Sequence, residues 1–254
     1  MTFNLIRELI NNNYRVFSIA QAKELGLLVG ITPKSMTERL ARLEKKGMID
    51  RIMKGLYTLS SEFLAGIPIH EYEIALAFVQ PSAIAYLSAI SFHHLTDQIS
   101  SIIYVLCPSD GKEMKSYSTY KLRGIQYRII TIKREWFFGL EQRWLSEASI
   151  TITDFEKTLI DALIKPKYCG GIREVLYAFE QAHDRLNIEK IISYALRINK
   201  STCKRLGWVL SKLGTQNKDL EILRTKIHTS YTLLDSSLPR KGKVNKEWYV
   251  IENL

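Results

Sequence analysis

Apolar residues recur at helical spacing, in short bursts, through the first sixty positions. Phe3, Ile6, Leu9 and Ile10 share one face of a helix, and the run Asn11-Asn12-Asn13 ends it. Ser18 followed by Gln21 forms a capping-box pair, in which each side chain satisfies a free backbone N–H of the first turn. It predicts a second helix over residues 19–25, with Gly26 as a left-handed stop. After a short loop, Thr32 as a cap and Pro33 at the first helical position predict a third helix. On its wheel Met36, Leu40, Leu43 and Gly47 gather on one side, Lys34, Ser35, Glu38, Arg42 and Lys45 point away, and Arg39 lies on the flank. Alternation around residues 49–52 and 56–59 then reads as a β-hairpin, with Gly55 supplying the positive φ of its turn.

Helix, helix, short turn, helix and hairpin, in that order, predict a winged helix-turn-helix over residues 1–62. The polar face of the third helix would lie in the major groove of double-stranded DNA, while Arg51 and Lys54 on the wing would meet phosphates. The candidate DNA-binding residues are Thr32, Lys34, Ser35, Glu38, Arg39, Arg42, Lys45, Arg51, Lys54 and Tyr57. A solvated helix face on a protein-interaction module would share this pattern. Local charge favours DNA: from Thr32 to Tyr57, Lys34, Arg39, Arg42, Lys45, Lys46, Arg51 and Lys54 outweigh Glu38, Glu44 and Asp50, for a net +4.

Beyond a linker near residues 60–68 the pattern changes, and residues 69–254 read as a second domain. The segments EYEIALAFV and SAIAYLSAISFHHL are apolar core helices separated by Gln80-Pro81, the second capped by Ser82. Strands are expected over residues 102–107, 125–132 and 149–153, with a polar loop between the first two. Helical periodicity returns over residues 156–164, 172–184, 188–199, 202–213 and 219–229. The expected class is α+β: an N-terminal winged helix-turn-helix, then a larger mixed α+β domain with a small sheet and a helical C-terminal part.

Composition narrows this picture only slightly. A chain of 254 residues with 46% hydrophobic content can bury a substantial core. A formal net charge of +10 fits a polyanionic partner. Arg7 and Glu8 break the first apolar run, and no stretch approaches the roughly eighteen apolar residues of a membrane span, so a cytoplasmic chain without membrane contact is expected. Cys107, Cys169 and Cys203 lie far apart without C-x-x-C spacing and read as buried thiols.

Three features could carry chemistry. In TDFEKTLIDAL, Asp154, Glu156 and Asp161 could hold a divalent cation, although Thr153 with Glu156 reads as a capping box, Phe155, Leu159, Ala162 and Leu163 form a core stripe, and Asp161 reads as a surface group. His93 and His94 lack an H-E-x-x-H pattern or a cysteine partner, and suit a helix C-terminus equally well. Lys112, Lys115, Lys121 and Arg123, interleaved with Tyr117 and Tyr120, could bind nucleic acid or simply form a hairpin loop. The chain has no G-x-x-x-x-G-K-[ST] loop, no G-x-G-x-x-G after a strand and no G-x-S-x-G elbow. Neither an enzyme nor a cofactor or metal is expected.

The segments RIMKGLYTL, PSAIAYLSAISFHHLTDQ, IIYVLCPS, ITDFEKTLIDAL with the following YCGGIREVL, and KRLGWVLSKLG occur here in an order that covers most of the chain. In this the sequence resembles AbiEi-type antitoxins, the transcriptional-regulator halves of type IV AbiE toxin–antitoxin modules of abortive infection. The resemblance implies a winged helix that represses the operon's own promoter by binding repeated sites. It also implies a second domain that antagonises a nucleotidyltransferase-like toxin without a stable complex. The Gly-Ser and Asp-x-Asp signature of such toxins is absent; the nearest approach, Asp154-Phe155-Glu156, lacks the Gly-Ser. A ligand-sensing transcription factor without a toxin partner and a DNA-directed enzyme remain open as alternatives.

Overall fold

The computed structural model describes residues 2–109, 117–122 and 124–254, except for the side chains of Thr2, Phe3, Tyr117 and Asn217. The chain is mixed α+β and forms two compact units: residues 1–82 with 142–151, and residues 83–141 with 152–254. The first unit is therefore longer than the expected 1–62. The reason is Arg15, whose guanidinium donates to the carbonyls of Ile67 and Pro68 at 3.0 and 2.9 Å and pairs with Glu73 at 3.5 Å. These bonds tie the segment after the hairpin, and the helix α4 (Glu71–Ala77) that follows, to the first three helices.

Those helices are α1 (Thr2–Asn11), α2 (Ile19–Leu28) and α3 (Met36–Lys45). Each ends in the same way. The residue beyond the C-cap adopts positive φ, at Asn13 (56°), Gly30 (71°) and Gly47 (66°), and two backbone N–H groups turn back to close the last carbonyls. For α3, Gly47 N–H bonds to Glu44 and Met48 N–H to Leu43; for α2, Gly30 N–H bonds to Leu27 and Ile31 N–H to Gly26. Gly26 is thus not the stop but an interior residue. A Cβ placed there would fall 2.3 Å from Met36 Cε and 3.4 Å from Ile31 Cβ, so it is the close passage of these side chains that glycine permits. Gly47 likewise leaves the buried stripe expected of it and forms the exposed end of α3.

The capping box of Ser18 and Gln21 opens α2 as expected. Helix α3 begins later than expected. Thr32, Pro33 and Lys34 belong to a turn closed by Ser35 N–H to Thr32 O at 3.1 Å, and Ser35 is the N-cap position without a side-chain cap bond. A three-stranded antiparallel sheet completes the unit: β1 (Val16–Ser18), β2 (Ile49–Met53) and β3 (Leu56–Leu59), in the order β1-β3-β2, with a register shift between Arg51 and Met53. Gly55 turns the β2–β3 hairpin with φ of 82°. Leu5, Ile6, Leu9, Phe17, Leu25, Ile31, Met36, Leu40, Leu43 and Ile49 form the common core.

The second unit contains most of a six-stranded sheet. The strands of this sheet are β4 (Ala83–Ile84), β5 (Ile102–Pro108), β6 (Tyr117–Leu122), β7 (Ile125–Ile132), β8 (Leu140–Leu145) and β9 (Ala148–Thr153), in the order β6-β7-β5-β4-β9-β8, and β8 and β9 run largely through residues 142–151. Ser82 does not cap a helix. It is buried and donates to the Leu76 carbonyl at 3.3 Å, and Ala83–Ile84 form a strand before α5 (Tyr86–Phe92) begins. His94 ends α5 with φ of 58°, and His93 is buried with Nε2 2.9 Å from Thr153 O. Helices α6 (Phe155–Ile164), α7 (Ile172–Ala182), α8 (Ile188–Ile198), α9 (Lys200–Lys212) and α10 (Asn217–Arg224) follow. A further sheet, β10 (Thr232–Leu233), β11 (Lys243–Asn245) and β12 (Val250–Glu252), closes the chain and was not evident in the sequence pattern. It seats Trp248 on α9 at Gly207, where a Cβ would lie 2.1 Å from the indole ring. The three cysteines are buried and free.

Helix α6 lies in the middle of the core and carries charge there. Asp154 is its cap, accepting from Lys157 N–H at 2.8 Å; Thr153 Oγ1 instead meets Thr158 Oγ1 at 2.7 Å. Asp161 is buried, not a surface group, and its Oδ1 accepts from Lys157 Nζ, whose side chain is 0% exposed. Burial raises the Asp161 carboxyl above the ordinary range while the Lys157 ammonium opposes the shift. Removing one partner of a buried pair strands the other charge and costs about 3–5 kcal/mol, whereas replacing both with apolar groups of similar volume is often neutral. Asp161→Asn should therefore lower unfolding free energy in urea by about that amount, and Lys157→Met/Asp161→Leu should recover most of it. Equal stability of the single variant and the parent would show that the pair is not desolvated.

Candidate nucleic-acid interface

Ten residues in α3 must serve two purposes. Met36, Leu40 and Leu43 are fully buried, and at 100° per residue they commit the opposite side of the helix to solvent. Glu38, Arg42 and Lys45 are exposed there, with Thr32 and Lys34 exposed in the preceding turn. Ser35 and Arg39 are half-buried, and the Arg39 Nε has no hydrogen-bond partner among the described residues. Arg42 is paired with Glu38 one turn earlier, both side chains about two-thirds exposed at 67% and 68%. Such a pair contributes little to stability. Thr37 and Ala41 share the exposed face, where the same wheel places them, but carry no charge that would mark them as phosphate contacts.

On the hairpin, Arg51 and Lys54 are exposed, one on β2 and the other beside Gly55 at the tip. Ile19 N–H donates to Gly55 O at 2.9 Å, so the tip is fastened to the start of α2. Tyr57 is the exception among the candidates. It is paired across the sheet with Phe17 and Arg51, its ring stacks on Phe17 at 5.9 Å between centroids, and it is 5% exposed. Strand alternation sends it inward, opposite in direction to Thr58. Tyr57 is a core residue of the first unit, not a surface contact.

The other candidates resolve differently. Lys190 Nζ lies 3.2 Å from Asp154 and 2.7 Å from Glu156, and Tyr194 OH donates to Asp154 at 2.8 Å. Burial raises the Tyr194 hydroxyl to about 12, with the hydrogen bond to Asp154 adding to it. With Lys157 on Asp161, each of these three carboxylates faces an ammonium group, an arrangement of ion pairs and not of metal ligands. Among the described residues no three His, Cys, Asp or Glu gather in a cluster suited to a metal ion. His94 is explained by its left-handed helix end, a position that favours Asn, Asp and His after Gly. Lys121 and Tyr120 lie on β6; Lys112, Lys115, Arg123 and the Tyr117 side chain lie outside the described residues. Among the described residues no helix is long and apolar enough to cross a membrane.

No family model matches the chain, and no curated protein matches it. Among solved structures the chain is similar to the RV2827C protein from Mycobacterium tuberculosis, with a TM-score of 0.55 and 15% identity over 99% of this chain and 90% of that one. At this identity the likeness concerns the fold.

The placement of Tyr57 separates stability from surface contact. Tyr57→Phe should leave DNA affinity within about twofold in an anisotropy titration, while Tyr57→Ala should cost about 3–5 kcal/mol of stability, as for other buried aromatic truncations. A folded Tyr57→Phe protein that loses affinity would return the hydroxyl to the interface.

Proposed function

We propose that this chain is a DNA-binding antitoxin and autorepressor of a toxin–antitoxin operon. In this reading the first unit is a winged helix-turn-helix, with α2 and α3 as its two helices and the β2–β3 hairpin as its wing. The observation that carries the proposal is the exposed basic set Lys34, Arg42 and Lys45 opposite a fully buried Met36, Leu40 and Leu43, flanked by exposed Arg51 and Lys54. Lys34 and Arg42 meet bases or phosphates in the major groove, Glu38 and Arg39 accompany them, and the wing follows the backbone without reading sequence. The antitoxin part rests on the ordered segments that resemble AbiEi proteins, several of which lie in the second unit. That unit counters a nucleotidyltransferase-like toxin without a lasting complex.

Removing charge tests the DNA reading. Lys34→Ala/Arg42→Ala should weaken binding to the operon's own promoter and reduce the log–log salt slope by about 0.9 for each phosphate no longer neutralised. Lys54→Glu should weaken all DNA sequences alike. Unchanged affinity and slope in the first variant would contradict the groove assignment, and a change of sequence preference alone in the second would make the wing a reader of bases. Co-expression with the protein encoded beside it, scored for growth, tests the antitoxin part; no rescue contradicts it.

A further inference from the structure

Strand β8 ends the six-stranded sheet, so one of its sides pairs with β9 and, among the described residues, no strand lies on the other. The two strands form a hairpin across Ser146 and Glu147, and Asp154 N–H donates to Gly139 O, one position before β8, at 2.8 Å. The Gln142 side chain meets those of Thr151 and Ser149 at 3.0 and 2.9 Å, in keeping with the same register. In an antiparallel pair the backbone groups of successive residues point to alternate sides. Gly139 directs its carbonyl to β9, so Glu141 and Arg143 face β9 as well, and Leu140, Gln142 and Trp144 direct their N–H and C=O groups to the open edge.

Natural proteins guard such an edge with proline, lysine, a bulge or a covering segment. The sequence of β8, LEQRWL, contains neither proline nor lysine. Its Gln142, Arg143 and Trp144 are exposed, Trp144 at 61%. A tryptophan held in water beside an unguarded strand edge suits an interface, where its large apolar ring is removed from solvent.

The strand is complementary to its own reverse. In an antiparallel pair of two copies centred on Gln142, Leu140 of one copy faces Trp144 of the other, Glu141 faces Arg143, and Gln142 faces Gln142. Two-fold symmetry makes the first two pairings twice over. The same register sets the outward backbone groups of residues 140, 142 and 144 against one another, so hydrogen bonding and charge are satisfied together. Moving the centre to Glu141 or Arg143 would set like charges directly opposite each other, which destabilises a strand pair. A centre between two residues would set outward groups against groups already turned to β9.

We infer that the chain forms a two-fold dimer in which β8 adds antiparallel to β8 of a second copy and the sheet continues from one molecule into the next. The inference concerns this strand alone and does not rest on the DNA-binding reading. Six residues from each copy make a small interface, so the dimer is in exchange with monomer at micromolar concentration.

Sedimentation velocity of the full-length protein from about 1 to about 200 µM tests it, and the parent should pass from monomer to dimer across this range. Glu141→Arg and Arg143→Glu each set like charges opposite one another at both symmetric positions, so either variant alone should associate about tenfold or more weakly. Mixed in equal amounts, the two variants regain opposite charges at both positions and should form a heterodimer about as readily as the parent dimerises. Recovery on mixing cannot come from a folding defect in either variant, and circular dichroism checks each alone. A parent that stays monomeric throughout the range would overturn the inference. So would variants that dimerise like the parent, or a mixture that remains as dissociated as its components.

Discussion

The first unit depends on the burial of one narrow stripe by a short helix. Met36, Leu40 and Leu43 span two turns of α3, and all three are at 0% exposure. Once they are placed, the directions of Glu38, Arg42 and Lys45 follow from helical geometry, with no separate interaction needed to aim them. The helix ends reinforce this choice. Left-handed residues at Asn13, Gly30 and Gly47 stop α1, α2 and α3, and backbone N–H groups at each end bond back to carbonyls of the last turn.

In the second unit the same economy appears in another form, because α6 brings charge into the core. Lys157 and Asp161 neutralise each other, while Asp154 and Glu156 at the helix start are held by Lys190, Tyr194 and the Asn187 backbone. Acidic groups near a helix N-terminus are also favoured by the helix dipole. These interactions account for three carboxylates that sequence spacing alone leaves open to a catalytic reading. They do not account for Asp161 Oδ2, which has no hydrogen-bond partner among the described residues.

Local signals were legible in the sequence, and those that depend on distant partners were not. The Ser18–Gln21 capping box, the Asn-rich end of α1, the Gly55 turn and strand β7 follow from a few neighbouring residues, and the structure contains them. Gly26 and Gly30 offer two stops for one helix, and only the approach of Met36 shows that the first is a packing position. Thr32 and Pro33 form an equally good start for α3, yet the chain spends them on a turn. Tyr57 was legible as a strand residue, but its burial depends on β1, a three-residue strand too short to show alternation. Ala83–Ile84 likewise become a strand only because β5 and β9 flank them. Asp161 is harder to read for the same reason, since i,i+4 spacing pairs it with Lys157 but does not reveal that both are inside.

Hydrogen exchange of the full-length protein with and without promoter DNA tests the central claim most directly. DNA is predicted to slow exchange in the turn and helix of residues 33–45 and at the hairpin tip of residues 51–55, leaving the second unit unchanged at low occupancy of any other ligand. Protection confined to residues 83–141 or 152–254, with residues 33–55 exchanging as in the free protein, would contradict it.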